Sequence, residues 1–131
     1  MAVPNINTDE LSLIKSWLML TFIRKVFERD SRILIDSGVL KSPQVYVDMI
    51  RSGSDRVAVV MTGIQNELTK RKIRIYEVKQ ASQGIEARYV CRSYHGEMNI
   101  PWSALRSEMP SRMRAYLGVE QGMQNGHLSP I

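Results

Sequence analysis

The stretch Thr8–Lys70 constrains the fold more than any other, because apolar residues recur through it at helical spacing. The pattern is interrupted once, at Ser37-Gly38, where glycine can take the left-handed conformation that ends a helix. It restarts at Ser42-Pro43, with serine as the cap and proline in the first helical turn. The sequence therefore predicts two long helices folded back on each other.

The first half of the first helix is apolar on nearly all sides. Such a helix is either surrounded by its own chain or packed against a second copy. A chain of this length has little left to cover so wide a surface, so we expect a homodimer. The interface residues predicted on this basis are Leu11, Ile14, Trp17, Leu18 and Phe22.

The second helix contains two ambiguous points. Gly53 either kinks the helix or lets the first helix approach closely, since glycine costs about 1 kcal/mol against alanine in a helix interior. The run Val57–Met61 is short and apolar, which also fits a buried strand. Because the helical stripe continues on both sides of the run, we interpret residues 56–61 as helix.

From Arg71 onward the apolar period becomes alternating, which predicts a strand over 73–78, a turn at 81–84 and a second strand over 85–94. A register in which the numbers of paired residues sum to an even value keeps arginines off the apolar face. One face then carries Ile73, Ile75, Ile85, Ala87, Tyr89 and Cys91, and the other carries Arg74, Tyr76, Val78, Arg88, Val90 and Arg92. A loop is expected to begin at His95-Gly96.

The remaining chain predicts a short helix that begins near Pro101, is broken by Pro110 and ends at Gly118. The expected fold class is thus α+β: a long helical hairpin, a two-stranded antiparallel β-hairpin and a short broken C-terminal helix. Residues 1–7 are expected to form a flexible arm, 8–118 a single domain and 119–131 a disordered tail.

The charge of the chain is unevenly distributed. Residues 1–69 carry eight Lys/Arg and eight Asp/Glu, whereas residues 70–131 carry ten and five. The apolar run Leu11–Ile23 is too short to span a bilayer and contains Lys15, so no membrane segment is expected. A single cysteine and the lack of a secretory signal favour the cytoplasm.

No catalytic, metal or cofactor site is predicted. Two histidines, His95 and His127, are too few for a clustered metal site, and no glycine-rich phosphate loop is present. A nucleophilic pair of Cys91 and His95 requires a sharp turn after Ser93, because four residues of one strand span about 13 Å. We therefore expect a protein that is not an enzyme.

The strongest charge run is Lys70–Arg74. Cations at a helix C-terminus complement the helix dipole, which is its simplest explanation. Combined with arginines and tyrosines on the exposed strand face, the run also predicts a nucleic-acid-binding surface. Its residues are Lys70, Arg71, Lys72, Arg74, Tyr76, Arg88 and Arg92.

The order of landmarks resembles a known family. The landmarks are the apolar segment Leu18–Asp30, the restart Lys41–Pro43, the basic end Lys70–Lys72 running into Ile73–Tyr76, and the final Arg114–Leu117. Over residues 13–117 the chain is similar to the YhjD-like proteins, a small cytosolic family of spore-forming Firmicutes with some phage-type members. The resemblance brings no activity with it.

These observations favour a non-enzymatic regulatory or interaction protein, homodimeric, that binds a protein partner. Two alternatives stay open. One is a nucleic-acid-binding regulator that uses the basic hairpin face, and the other is a phage-type inhibitor that docks on a host protein through a sheet edge.

Overall fold

The computed structural model of the chain describes residues 6–119. Most of the predicted arm (1–7) and all but the first residue of the predicted tail (119–131) lie outside the described residues. Two helices, three strands and a last helix follow one another in the described part. The protein is α+β, as predicted.

The helical hairpin consists of α1 (Thr8–Asp36) and α2 (Pro43–Lys70). Asn7 caps α1, and the turn between the helices contains Gly38 at φ +68°. Residues 56–61 lie inside α2 and are helical, which confirms the interpretation made from the flanking stripe. The hairpin follows the sequence because both helices are long, periodic and bounded by recognisable start and stop residues.

Helix α2 continues through Gly53, and the residue that approaches this glycine belongs to the last helix, α3 (Trp102–Leu117). A Cβ atom at Gly53 would lie 2.8 Å from Leu117 Cδ2 and 3.2 Å from the Tyr116 carbonyl oxygen. The close approach expected at Gly53 therefore exists, but its partner is α3 and not the first helix.

The sheet has three antiparallel strands in the order β1 (Ile73–Gln80), β2 (Gly84–Cys91) and β3 (Tyr94–Pro101). The prediction of two strands, with a loop beginning at His95-Gly96, is wrong. The β2–β3 turn is Arg92-Ser93, and both residues have positive φ, 47° and 80°. Such two-residue turns are usually marked by asparagine or glycine. This turn has neither residue, so no local pattern indicates a hairpin here.

The even register holds only for the first part of β1. Ile73, Arg74 and Ile75 pair with Cys91, Val90 and Tyr89, as predicted. A bulge at Tyr76 then adds one residue, so that Val78 pairs with Ala87. Because directly paired residues share a face, Val78 lies on the inner face of the sheet, and its predicted position among the arginines is wrong.

The last helix is not broken. It runs from Trp102 to Leu117 with Pro110 inside it, contrary to the prediction, and ends at Gly118 in the left-handed conformation. Proline removes one N–H donor and leaves the following turn free to form. Helix α3 packs Leu105 and Met109 into the core, and its Glu108 meets Lys15 of α1 at 3.0 Å.

The core lies between α1, the inner face of the sheet, the second half of α2 and α3. Its most deeply buried members are Ile14, Leu18, Met19, Leu20, Ile23, Phe27, Val57, Leu68, Ala87, Cys91 and Leu105. Among the described residues, no helix combines the length and the apolar character needed to cross a membrane.

Candidate functional site

The outer face of the sheet carries a polar cluster that crosses all three strands. Tyr76, at the bulge of β1, shares a hydrogen bond of 3.1 Å between its Oη and His95 Nδ1 of β3. The two rings meet edge to face, with centroids 5.7 Å apart. The guanidinium of Arg74 lies 5.7 Å from the centroid of the Tyr76 ring, within cation–π range. The cluster therefore exposes one cation, one aromatic ring and one imidazole.

Arg88, in the centre of this face, is flanked by carboxylates. Glu77 of β1 and Glu97 of β3 are its direct neighbours across the sheet. Their oxygens lie 3.5 Å and 3.9 Å from Arg88 Nε. Most of the charge that Arg88 was expected to offer to a phosphate is thus balanced within the sheet.

The predicted basic residues do not form one surface. Arg74, Tyr76 and Arg88 lie together on the outer face of the sheet, and Lys72 immediately precedes β1. Lys70 meets Glu67 of its own helix at 3.8 Å. Arg71 and Arg92 face a different group, the carboxylate of Glu10.

The Glu10 cluster, formed by Asn7, Glu10, Arg71 and Arg92, joins three parts of the chain. Arg92 binds both oxygens of the Glu10 carboxylate at 2.9 Å and 3.1 Å, and Arg71 Nη1 lies 3.4 Å from the second oxygen. Arg92 also donates to the Arg71 carbonyl at 2.8 Å. The start of α1, the end of α2 and the β2–β3 turn are therefore tied together through one carboxylate that is 3% exposed.

The electrostatics of the cluster follow from these bonds. Hydrogen bonding by Arg92, with further contributions from the Asn7 backbone N–H and Arg71, lowers the pKa of Glu10 to about 2 against the opposing effect of burial. The hydrogen bond to Glu10 raises the pKa of Arg92, whereas the pKa of Arg71 is raised mainly by its hydrogen bond to Glu67 and further by that to Glu10. Glu10 lies in the first turn of α1, where an acidic residue also complements the helix dipole. The spacing Asn7–Glu10 is that of a capping box, and both of its hydrogen bonds form. The two arginines, 61 and 82 residues away, left no such signal.

Cys91 and His95 lie on opposite faces of the sheet. The sharp turn that could have joined them does form, but Cys91 packs inward and His95 bonds Tyr76 on the outer face. Burial raises the pKa of the Cys91 thiol, which disfavours the nucleophilic thiolate. Within residues 6–119, no three His, Cys, Asp or Glu side chains come together to hold a metal ion.

The residues predicted to form a dimer interface lie largely inside one chain. Ile14 and Leu18 are fully buried, at 0% and 1% exposure, and Leu11, Trp17 and Phe22 are half-buried. Phe22 contacts Trp102 of α3 with ring centroids 5.8 Å apart. The apolar surface of α1 thus packs largely within its own chain, against α2, α3 and the inner face of the sheet.

The exposed apolar surface lies instead at the hairpin tip, residues 31–50. Six large apolar side chains there are between 41% and 80% exposed: Ile33, Ile35, Val39, Val45, Tyr46 and Met49. Helix α3 ends beside Gly53 and does not extend over this part of α2. Six exposed large apolar side chains within twenty residues make the tip a candidate interaction surface.

The family profile described as YhjD protein matches residues 5–121, which is most of the chain. The chain belongs to the YhjD family. Neither the curated proteins nor the solved structures compared with this YhjD protein gave a match. The family description names no reaction and no ligand.

Proposed function

We propose that this YhjD protein is a non-enzymatic interaction protein that forms a homodimer through its hairpin tip. The observation that carries the proposal is the set of six exposed apolar side chains at residues 31–50. Burial of such side chains contributes about 25 cal/mol for each Å² of apolar surface removed from water. This proposal moves the predicted interface from the first half of α1 to the opposite end of the hairpin.

The charges of the tip support a second copy as the occupant. In a two-fold dimer the same surface meets itself, so a surface of one sign would repel its partner. In the tip, Arg32 and Lys41 are balanced by Asp36 and Asp48. A groove of about 330 Å³ beside the tip is likewise lined by acids and bases together, with Glu28 and Asp36 opposite in sign to Arg32 and Arg51. Two copies can therefore approach without net repulsion.

Mass measurement by light scattering and sedimentation equilibrium tests the dimer. We expect a mass of twice the 15.0 kDa of one chain at micromolar concentration. The double variant Val45→Glu/Met49→Glu should sediment as a monomer, because it places charges on both sides of the interface. Val59→Glu is the matched control: Val59 belongs to the same helix and is 73% exposed, but lies outside the tip. It should remain dimeric.

A wild-type mass of 15.0 kDa over the whole concentration range would refute self-association. The tip would then be a surface for a different protein or for the chain's own terminal residues. A dimer that survives the Val45→Glu/Met49→Glu substitutions would refute the position of the interface.

Nucleic-acid binding by the outer face of the sheet is the second candidate function. The observation in its favour is that Arg74 and Tyr76, a cation and an exposed ring, lie side by side there with Lys72 just before the strand. The paired state of Arg71, Arg88 and Arg92 limits the charge available for phosphates. This candidate therefore ranks below the interaction protein.

A further inference from the structure

The exposed end of β1 lies beside a small apolar cavity. β1 is an edge strand, and its residues from Tyr76 to Gln80 are all exposed. The cavity, of about 120 Å³, opens between this end of β1 and α1, where Leu18, Phe22, Val78 and Ile85 line it. A cavity of roughly 150 Å³ admits a benzene ring, so this smaller cavity is suited to one aliphatic side chain rather than an aromatic one.

The bulge at Tyr76 explains why Val78 joins Leu18, Phe22 and Ile85 in the apolar part of the cavity lining. By shifting the register it turns Val78 to the inner face, opposite Ala87, although Val78 remains 44% exposed. A bulge and a lysine are also devices that protect an edge strand from unwanted pairing. Protection alone does not require an exposed valine and an open apolar cavity at the same position.

Two lysines define the chemistry of a ligand at this position. Lys25 of α1 and Lys79 of β1 both line the cavity. Lys79 meets Glu86 at 3.7 Å on the sheet, with its side chain 57% exposed. Because Lys79 pairs with Glu86 on the outer face, Lys25 is the cation that faces a ligand in the cavity, and an apolar side chain there would be favoured next to an acidic residue that Lys25 could pair.

We propose that the end of β1, Glu77–Gln80, binds an extended acidic segment of another protein by strand addition. The main chain of the segment would pair with the free edge of β1, and alternate side chains would face the cavity. One large apolar side chain would enter the cavity, and an aspartate or glutamate beside it would meet Lys25. This site is separate from the hairpin tip, and neither proposal depends on the other.

Selection of a random nine-residue peptide library on the full-length protein tests the site. We expect enriched peptides with alternating β-branched residues, one central Leu or Ile, and at least one Asp or Glu. Fluorescence anisotropy of the best peptide should show an affinity that falls at least tenfold in Val78→Asp and in Lys25→Glu. Val59→Asp, an exposed valine of α2, should bind as the wild type does. Amide signals of residues 77–80 should shift on binding.

Several outcomes would overturn the proposal. One is the absence of any sequence enriched on the wild type over Val78→Asp. Enrichment of basic peptides, or amide shifts confined to the hairpin tip, would also overturn it. So would shifts at residues 77–80 that grow with protein concentration without peptide, since a second copy would then occupy the edge.

Discussion

At the scale of single residues, Glu10 has the most consequential environment. A buried carboxylate costs stability unless it is paired, and this one is bound by two arginines and the Asn7 backbone N–H. Its partners come from the end of α2 and from the β2–β3 turn. One side chain thus positions the helical hairpin against the sheet, and the two arginines that hold it are engaged in these internal ion pairs.

The low pKa of Glu10 predicts acid sensitivity with a defined sign. The pKa is about 2 in the folded chain and about 4.3 in an unfolded one. The folded state therefore gains stability from the ionised carboxylate above about pH 5 and loses it as the pH falls from about 5 to 2. Glu10→Gln should lower the free energy of unfolding by about 2 kcal/mol at neutral pH. The gap between variant and wild type should close across that pH range in urea titrations.

Glu67→Gln is the control for this prediction. Glu67 also binds Arg71, at 2.9 Å, and that hydrogen bond lowers its pKa, but its side chain is 37% exposed. Removing a charge that water still reaches should change stability little. A difference in free energy of unfolding between Glu10→Gln and wild type that stays constant from pH 7 to acid would contradict the low pKa of Glu10.

At the scale of elements, two glycines of α2 make a matched pair. Gly63 has open space where a Cβ would be, whereas a Cβ at Gly53 would contact Leu117 and the Tyr116 carbonyl of α3. Gly63→Ala should therefore raise the free energy of unfolding by about 0.5–1 kcal/mol through helix propensity alone. Gly53→Ala has the same propensity gain but crowds α3, so it should be less stable than Gly63→Ala by at least about 1 kcal/mol.

Thermal and urea unfolding of the two variants measures that difference. Equal stabilisation by both would mean that α3 does not pack on α2 at Gly53. The close approach of Gly53 to Leu117 and Tyr116 packs the end of α3 against the helical hairpin. Arg56 of α2 also donates a hydrogen bond to the Tyr116 carbonyl there. The boundary between the covered part of α2 and the exposed hairpin tip depends on this packing.

The elements that the sequence predicted are those with local signals. Asn7, Gly38 and Pro43 mark helix ends, and each helix has many apolar periods between them. Strand β3 was missed because Arg92-Ser93 adopts a positive-φ turn without the usual residues. The bulge at Tyr76 and the pairing of Glu10 with Arg92 depend on contacts between distant segments. No local pattern encodes such contacts. They are the reason why the predicted nucleic-acid-binding residues do not form one surface.

At the scale of the whole molecule, the two ends differ in character. The hairpin tip exposes apolar side chains and is balanced in charge, while the excess of basic over acidic residues lies in residues 70–118. Much of that basic charge is paired: Arg88 with Glu77 and Glu97, and Arg92 with Glu10. A net charge of +5 therefore overstates what a polyanion would meet on the outer face of the sheet.

This pairing makes the nucleic-acid candidate quantitatively testable. Each phosphate neutralised by a protein cation contributes about −0.9 to the slope of log K against log salt for duplex DNA. Within residues 6–119, Lys72 and Arg74 form no ion pair beside Tyr76, so we expect a slope of about −2 in a salt series followed by anisotropy. Arg74→Ala should reduce its magnitude by about 1, and Arg24→Ala, an exposed arginine of α1, should leave it unchanged.

The carboxylates supply the decisive comparison. If Glu77 and Glu97 hold Arg88 away from phosphates, the double variant Glu77→Gln/Glu97→Gln should bind DNA more tightly. Its slope should steepen to about −3, because Arg88 becomes a third available cation. DNA binding that does not depend on salt, or a slope that Arg74→Ala does not change, would refute DNA binding by the outer face of the sheet. The basic half of the chain would then serve its internal ion pairs and the solubility of the protein, and function would rest with the hairpin tip and the edge of β1.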